Sequence, residues 1–388
     1  MVFLFREHRG FVIKAVVRDD RPAPGFSRRL SRPHCSRDDP GQHPGTWDAV
    51  YWPLDHAAWN GWTPTDLVFP FFLFAMGAAV PVALARRRGV PRLVRRHVLR
   101  RAVLLFGLGL LLNAIEAKPP IVWSAFPILG VLQRIAIVYV VVAWLTERTS
   151  RRTQIVVAAT SLLAYWAAMT LVPVPGAGAG VLTPDGNLAT FIDRWALGRH
   201  LSHGTWESEG LLSTVPAIAT ALCGVLAGDW LMTPGSTSHR SGVLWIAGAA
   251  ATLVGLLWDR AFPINKNLWT SSFTLFTAGL ATQLLAVCHW VLDVHRWRRW
   301  SASFVAFGRN PLAAYFLSVG LDSILTRTTL NTQPDVSLKW ALYWRAFGWW
   351  AASCCDAEFA SLLYAITYVA LWAVVMVAMY RKRVFVGI

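Results

Sequence analysis

The chain has 388 residues, of which 55% are hydrophobic and only 15% are charged, with 21 tryptophans and a mean hydropathy of +0.43. This composition is too apolar for a soluble domain of that size and indicates a protein that crosses the membrane several times. The formal charge of +16 does not indicate a nucleic-acid-binding protein, because the basic residues form short clusters beside apolar runs, as cytoplasmic loops do.

Nine apolar runs have roughly the 17 to 25 residues that a helix needs to cross a bilayer, although the run 243–258 is short. The predicted fold class is therefore all-α, a polytopic transmembrane helix bundle with about nine spans. In chain order the runs cover residues 67–85, 98–115, 126–145, 155–172, 211–231, 243–258, 268–291, 304–324 and 359–380.

Basic residues alternate between the two ends of this predicted bundle. Eight arginines lie between positions 86 and 101, whereas the next loop, 116–125, has Lys118 as its one basic residue. Because positively charged loops stay in the cytoplasm, the alternation predicts a cytoplasmic C-terminus at Arg381 to Arg383. The predicted outer parts are the segment around His56 and the loops 173–210, 259–270 and 325–358.

The N-terminal residues 1–43 contradict this alternation. They contain nine Lys or Arg residues, yet the count places them outside with His56. The chain therefore divides into an atypical basic segment, 1–43, and a transmembrane domain, 44–388. A disordered basic tail remains the alternative for the first segment.

Two polar residues at the start of the first apolar run are the leading candidates for chemistry. An imidazole titrates near neutral pH, so His56 can act as a nucleophile or general base, or it can be an interfacial residue beside tryptophans. Asp66 can orient that imidazole or bind an amine, or it can cap the helix.

Other polar residues stand at predicted helix ends or inside spans. In the outer loops, Asn265, Lys266, Asn267 and Trp269 can hold and stack a sugar or anchor the loop, and Glu209 can bind an amine or cap a helix. Within spans, Gln133 and Arg134 can contact a phosphate or form a structural pair, and Asn310 precedes a proline that breaks the helix.

Five stretches read, in chain order, HAAWNGWTPTDLVFPFFLFAMG, GVLQRIAIVY, EGLLSTVPAIAT, PINKNLWTSSFTLFTAGLA and GRNPLAAY. They lie between about Pro44 and Arg383. In this order they resemble the motifs of the heparan-alpha-glucosaminide N-acetyltransferase family, and more closely those of its bacterial relatives.

The resemblance implies a membrane acyltransferase that moves an acetyl group from acetyl-CoA to an amino sugar or glycan on the outer face of a bacterial inner membrane. No metal and no nucleic acid are expected, whereas contacts with membrane lipids and a homodimer are. His56 is implied to be catalytic, with Asp66 supporting it and Gln133 and Arg134 near CoA. The implied substrate-binding residues are Trp59, Asn60, Glu209, Asn265, Lys266, Asn267, Trp269 and Asn310.

Two other functions stay open. The polar residues Gln133, Arg134 and Asn310 would also suit the midplane site of a sugar transporter, although no inverted repeat is evident. The chain can also be an inactive product of a damaged gene. No Cys pair with metal-ligand spacing, phosphate-binding loop or hydrolase motif is found among the 388 residues.

The damaged-gene hypothesis comes from a missing helix. In the resembling family a helix reading roughly SLDxxRGxTVAxMILVNNPG precedes the histidine motif, and restoring it here would give ten spans. Codons for Phe26 to Gln42 can be chosen so that the same DNA, read one base later, encodes SLDVFRGLTVAAMILVN. A local frameshift therefore explains the basic segment, and the asparagine that ends the helix falls near Gln42.

Overall fold

The computed structural model describes residues 50–85, 91–117, 121–297, 301–330, 333–354 and 357–386. The atypical segment 1–43 lies outside these residues. Within the described ranges the chain is helical apart from turns and one two-stranded hairpin, which confirms the predicted all-α bundle.

The described residues form a series of α-helices connected by short turns and a few longer segments. The helices are α1 (Val68–Ala85), α2 (Pro91–Glu116), α3 (Val131–Arg148), α4 (Arg151–Leu171), α5 (Leu188–Leu197), α6 (Thr214–Leu231), α7 (Thr237–Trp258), α8 (Ser271–His289), α9 (Ala302–Arg309), α10 (Pro311–Arg327), α11 (Leu338–Cys354) and α12 (Ala357–Arg381). The strands β1 (Thr329–Leu330) and β2 (Gln333–Ser337) pair antiparallel. A 3₁₀ turn, Pro64–Leu67, leads into α1, and a π-helical turn, Trp290–Val294, follows α8.

Eight of the nine predicted spans coincide with one helix each, and the ninth, 304–324, covers α9 and α10. Seven helical segments of the described chain are long and apolar enough to cross a membrane, namely those that contain α1, α2, α4, α6, α7, α8 and α12. The other two predicted spans correspond to α3, which carries Arg134, Glu147 and Arg148, and to α10, which has 17 residues. The chain is therefore a polytopic helical membrane protein.

Three boundaries differ from the prediction. Helix α7 begins at Thr237 and is not short, because the Ser236 side chain accepts a hydrogen bond from the His239 amide and caps polar residues that hydropathy leaves out. The outer loops 173–210 and 325–358 are not loops throughout, since they contain α5 and α11. The predicted break at Asn310 is confirmed, because it separates α9 from α10.

Small residues bring α1 and α6 into direct backbone contact. A Cβ atom added to Gly224 of α6 would lie 2.1 Å from the carbonyl oxygen of Phe74, and one added to Gly77 of α1 would lie 2.0 Å from that of Ala221. Small residues permit such close packing between membrane helices, because they leave room for the neighbouring backbone. Helix α1 is thereby fixed in the centre of the bundle.

The connecting segments separate into two ends of the bundle. At one end, His200 Nδ1 lies 2.8 Å from the Phe126 carbonyl oxygen, Gly61 donates to Ile264, and Arg327 at the end of α10 bonds to the Ala117 carbonyl. At the other end, Arg151 pairs with Asp229. The segments predicted to be outer therefore lie together at the end of the bundle that carries His56, apart from α11 and its flanks.

Candidate active site

His56 is held by a buried carboxylate. The segment 50–67 folds back over the start of α1, so that His56 Nδ1 lies 2.5 Å from Asp66 Oδ1. The second oxygen, Oδ2, accepts hydrogen bonds from the amides of Ala57 and Thr63 at 3.1 and 3.0 Å and from the Thr63 hydroxyl at 3.1 Å. The Asp66 side chain is 1% exposed, so its orientation is fixed before any ligand binds.

Lys266 completes the arrangement from a distant part of the sequence. Its Nζ atom lies 3.1 Å from Asp66 Oδ1 and 3.0 Å from His56 Nδ1, and its side chain is 24% exposed. An ammonium and a protonated Nδ1 both donate, so Asp66 Oδ1 is the acceptor that they share. His56, Asp66 and Lys266 are called the trio below.

Hydrogen bonds within the loop 259–270 fix the position of Lys266. The Asp259 carboxylate accepts from the Ile264 amide at 2.6 Å, and Asn265 Oδ1 accepts from the Leu268 amide at 2.8 Å. Trp269 has a positive φ of 52°, a conformation that costs energy for a bulky residue and is retained where the surroundings impose it. The turn buries the Trp269 ring and leaves Lys266 facing His56.

Two hydrogen bonds join the two segments of the trio. The Gly61 amide donates to the Ile264 carbonyl at 2.8 Å, and Asn265 Nδ2 donates to Asn60 Oδ1 at 3.0 Å. Asn60 and Asn265 were predicted to bind substrate, which stays a prediction, and in the structure their side-chain amides bind each other. This bond helps to hold His56 and Lys266 at contact distance.

The geometry defines which nitrogen of His56 can react. With the Nδ1 proton donated to Asp66, the imidazole lone pair lies on Nε2, and the ring is 15% exposed. A histidine oriented by a carboxylate in this way can remove a proton from a nucleophile or attack an electrophilic carbon itself. The trio is thus suited to acid–base or acyl-transfer chemistry.

Arg134 lies at the same end and organises the loop 198–213. Its Nη2 atom donates to the carbonyls of Ser208 and Gly210 and to the Ser213 hydroxyl. Its guanidinium also lies 5.1 Å from the centre of the Trp269 ring. The side chain is 1% exposed, so Arg134 connects the loop to the segment that carries Lys266.

The prediction that Arg134 acts with the basic inner loops on CoA phosphates stays a prediction. Arg134 lies at the end of the bundle with His56, a helix length away from those loops. The Gln133 side chain is directed toward α2, where its Oε1 atom occupies the space beside Gly109. Both residues start α3, and both are buried.

Two acidic residues that the sequence analysis missed accompany Arg134. Burial raises the pKa of Asp193 to about 6, against a hydrogen bond from the Leu211 amide that lowers it. Burial and the neighbouring charge of Glu209 also raise the pKa of Glu207, which accepts from the amides of Ser202 and Glu209. The sequence gives no sign of these raised pKa values, because the residues that surround Asp193 and Glu207 come from separate segments of the chain.

The remaining predicted residues divide between the two ends. Trp59 Nε1 donates to the Leu182 carbonyl, and its ring meets Trp206 edge-on at 5.3 Å. Glu209, bonded to Ser208, and Asn267, beside Lys266, are half-buried at the same end. Asn310 is not brought to the site. It begins α10 at the opposite end, and its side chain bonds to the backbone of Val384 and Val386.

The raised pKa of Asp193 predicts that acid stabilises the loop 198–213. A carboxyl with a folded-state pKa near 6 binds a proton more tightly than in the unfolded chain, so its contribution is complete below pH 3.8 and is lost as the pH rises through 6. We expect Asp193→Asn to remove about 1 kcal/mol of pH-dependent stability between pH 5 and 7.5, because the proton is lost within about one pH unit of 6 and the rest of the effect falls below pH 5.

This expectation is measured as the difference between thermal unfolding midpoints at those two pH values in one detergent. The wild type should lose stability on going to pH 7.5 and Asp193→Asn should not. Asp185→Asn is the control, since Asp185 pairs with Arg194 on the surface. An unchanged pH slope in Asp193→Asn contradicts the assignment.

Fold and site together define the class: an integral membrane protein of many helices with a carboxylate-oriented histidine at one end. Residues 53–185 match a family described as a domain of unknown function, DUF5009. The chain is 29% identical over 325 residues to heparan-alpha-glucosaminide N-acetyltransferase of Mus musculus, and 28% identical over 324 residues to that of Homo sapiens. The resemblance seen in the five motifs is confirmed, since the chain is similar to these N-acetyltransferases over most of its length.

The matches leave part of each protein uncovered. Both cover 68% of this chain, and they cover 49% and 48% of the mouse and human proteins. The chain therefore spans about half the length of these relatives.

Proposed function

We propose that the protein is a membrane acyltransferase that moves an acetyl group from acetyl-CoA to the amino group of an amino sugar or glycan. The observation that carries this proposal is the 2.5 Å contact of His56 Nδ1 with the buried Asp66, beside the Lys266 ammonium. The naming of both relatives as N-acetyltransferases supports the reaction class.

In direct transfer, the acceptor amine attacks the thioester carbonyl while His56 Nε2 takes a proton from the nitrogen. The tetrahedral intermediate then collapses, the C–S bond breaks, and the leaving thiolate takes the proton from Nε2. In the covalent alternative, Nε2 first takes the acetyl group and releases the thiolate, and the amine then attacks the acetyl-imidazole. The trio supports both routes.

Asp66 and Lys266 have different roles in this proposal. Asp66 fixes the Nδ1–H tautomer and stabilises the imidazolium that forms when Nε2 accepts a proton. Lys266, 3.5 Å from Nε2, supplies positive charge where the carbonyl oxygen becomes negative. The structure keeps both groups in place by hydrogen bonds formed without substrate.

The proposal places acceptor and donor at different ends of the bundle. The alternation of basic loops assigns the His56 end to the extracytoplasmic face and the C-terminus to the cytoplasm. Exposed arginines at the start of α2, such as Arg95, Arg96 and Arg100, suit the phosphates of CoA better than the buried Arg134 does. The acetyl-bearing arm must then reach through the bundle.

The test incubates membranes containing the protein with radiolabelled acetyl-CoA and glucosamine. We expect labelled N-acetylglucosamine to form in the wild type and not in His56→Ala. Uptake of glucosamine without CoA would instead establish the transporter, and acetylation at the normal rate by His56→Ala would refute the proposed chemistry.

The role of Lys266 gives a separate prediction. Lys266→Met should lower kcat by about 10²-fold, because it removes the charge beside the developing oxyanion, and should change the KM for the amine by less than about threefold. Lys266→Arg should recover part of kcat. The measurement is a steady-state comparison of the three proteins, with Lys339→Met, whose lysine pairs with Asp322, as the control. A normal kcat in Lys266→Met excludes the assigned role.

The division at residue 43 remains a proposal, as does the damaged gene. Resequencing the DNA that encodes residues 20–50 of this chain, and comparing it with the DNA of close relatives, would reveal paired insertions and deletions. Comparing the acetylation rate of this chain with that of a frame-restored version then decides whether the present chain is active. Uninterrupted coding in the present frame would end the frameshift hypothesis.

A further inference from the structure

The buried indole ring of Trp269 lies where three helices meet beside the trio. The residue is 1% exposed, and its Nε1 atom donates a hydrogen bond to the Thr220 hydroxyl of α6 at 3.1 Å. The Arg134 guanidinium of α3 lies 5.1 Å from the ring centre, and the Phe69 ring of α1 meets it edge-on with centres 5.0 Å apart. The position of the ring is therefore fixed by α1, α3 and α6 together.

The backbone of Trp269 connects this ring to Lys266. The Trp269 amide donates to the Lys266 carbonyl oxygen at 3.1 Å, and the Thr270 amide donates to the Asn265 carbonyl oxygen at 3.1 Å, so residues 265–270 form one closed turn. The positive φ of 52° at Trp269 is unfavourable for a bulky residue, and the contacts of the ring inside the bundle offset that cost. Moving the ring would therefore move Lys266.

The same ring contacts the helix that begins beside Asp66. Phe69 is three residues after Asp66, in the first turn of α1. The Asp66 carboxylate and the Lys266 ammonium, 3.1 Å apart, thus belong to two segments that both depend on Trp269 for their relative position. A misplacement of about 1 Å at a catalytic group can lower a rate about a hundredfold, so the ring is able to determine how well Lys266 faces His56.

Burial favours the contact between Arg134 and the Trp269 ring. The Arg134 Nη2 atom bonds to the loop 198–213, whereas Nε and Nη1 have no hydrogen-bond partner among the described residues. The face of an indole attracts a cation, and the attraction is stronger away from water. Because Arg134 is buried, contact with the ring stabilises its charge and adds to the interactions that hold Trp269 in place.

We infer that Trp269 is a positioning residue of the transfer reaction, whose ring keeps the Lys266 ammonium beside His56 and Asp66. This inference rests on the proposed acyltransferase function and adds to it a residue that raises kcat through Lys266 and not through contact with the reacting atoms. Trp269 therefore matters for the rate only as long as Lys266 is present.

The experiment is a double-mutant cycle on N-acetylation of glucosamine by labelled acetyl-CoA. Trp269→Leu removes the ring and its Nε1–H group, and we expect it to lower kcat about thirtyfold and to change the KM for glucosamine less than about twofold. In the Lys266→Met background the same substitution should lower kcat less than about threefold, since the charge that it would displace is already absent.

Trp230→Leu is the control for the loss of a packed tryptophan. The Trp230 indole also donates a hydrogen bond, to the Arg240 carbonyl, but it lies at the opposite end of the bundle, next to the pair of Asp229 and Arg151. Trp230→Leu should leave kcat unchanged. A loss of kcat in Trp230→Leu equal to that in Trp269→Leu would show that the effect is general to the fold, which contradicts the inference.

A second measurement does not need turnover. Acetic anhydride modifies free amines, and an ammonium held against a buried carboxylate reacts slowly. Competitive labelling followed by mass spectrometry gives the reactivity of Lys266 relative to the exposed Lys382 of the same chain. We expect Trp269→Leu to raise that ratio about tenfold and Trp230→Leu to leave it unchanged. If the wild type transfers no acetyl group to glucosamine, the proposed function fails, whereas the labelling still decides whether Trp269 holds Lys266.

Thr220→Val replaces Trp269→Leu in both measurements if the latter aggregates on size-exclusion chromatography. It removes the hydrogen bond to the Trp269 ring while keeping the shape of the Thr220 side chain. Its loss of kcat, about threefold, should vanish in Lys266→Met. Equal losses of kcat with and without Lys266, an unchanged labelling ratio, or a raised KM with a normal kcat would each overturn the inference, the last by assigning Trp269 to acceptor binding.

Discussion

Replacing His56 with alanine is expected to lower the rate of N-acetylation about a thousandfold, while the protein remains folded. The loss follows from removing the group that takes the amine proton or carries the acetyl group. His56 is half-buried in a segment that is also held by the bonds of Thr63 to Asp66 and of Asn265 to Asn60, and these bonds do not involve the His56 side chain. The measurement is kcat/KM with labelled acetyl-CoA, together with the thermal unfolding midpoint of each variant.

Asp66→Asn should lower the same rate about a hundredfold for a different reason. An amide can present its NH₂ group to Nδ1, which favours the tautomer with a protonated Nε2 that cannot accept the amine proton. His239→Ala is the matched control, since His239 is exposed near the start of α7 at the opposite end. Equal losses in His239→Ala and His56→Ala would attribute the effect to stability and not to chemistry.

Replacing Gly224 with valine is expected to prevent the normal bundle from forming. The added Cβ atom would lie 2.1 Å from the Phe74 carbonyl oxygen and 3.0 Å from the Ala78 amide nitrogen, and backbone atoms cannot move aside as a flexible side chain can. Separating α1 from α6 would lose the contacts along both buried helices, at a cost of about 3 kcal/mol or more. Because α1 starts beside Asp66, the trio should be displaced as well.

The effect of Gly224→Val is measured by size-exclusion chromatography of a fluorescent fusion after heating. Gly107→Val is the matched control, because Gly107 is exposed on α2 and a Cβ atom there would meet nothing within 4 Å. The control should elute as the wild type does, and Gly224→Val should elute as aggregate. Similar elution of the two variants would show that the α1 to α6 contact is not as close as described.

The helices could be predicted because membrane insertion depends on local composition. A run of apolar residues long enough to span hydrocarbon becomes a helix whatever its neighbours are, since its backbone groups must bond to one another there. Boundaries were less predictable where polar caps extend a helix, as Ser236 does for α7. The helix α11 was missed because it lies in a stretch that the charge pattern assigned to an outer loop.

Individual roles were harder to predict than positions. Lys266, Asn60 and Asn265 were predicted to hold substrate, which stays a prediction, and the structure adds that each contacts another residue of the site. A spacing of 210 residues between His56 and Lys266 gives no sign of their contact. The sequence does contain a local signal for the bond between Thr63 and Asp66, since these two residues have the spacing of a helix-capping pair.

The sequence by itself determined that the chain is a helical membrane protein, where its spans lie and which polar residues stand at their ends, because hydropathy and charge are properties of each segment. Only the tertiary structure decided that His56, Asp66 and Lys266 meet, that Arg134 holds a loop and that Asn310 holds the C-terminal segment. These contacts depend on how helices pack, and packing depends on close approach at positions such as Gly77 and Gly224, which hydropathy does not encode.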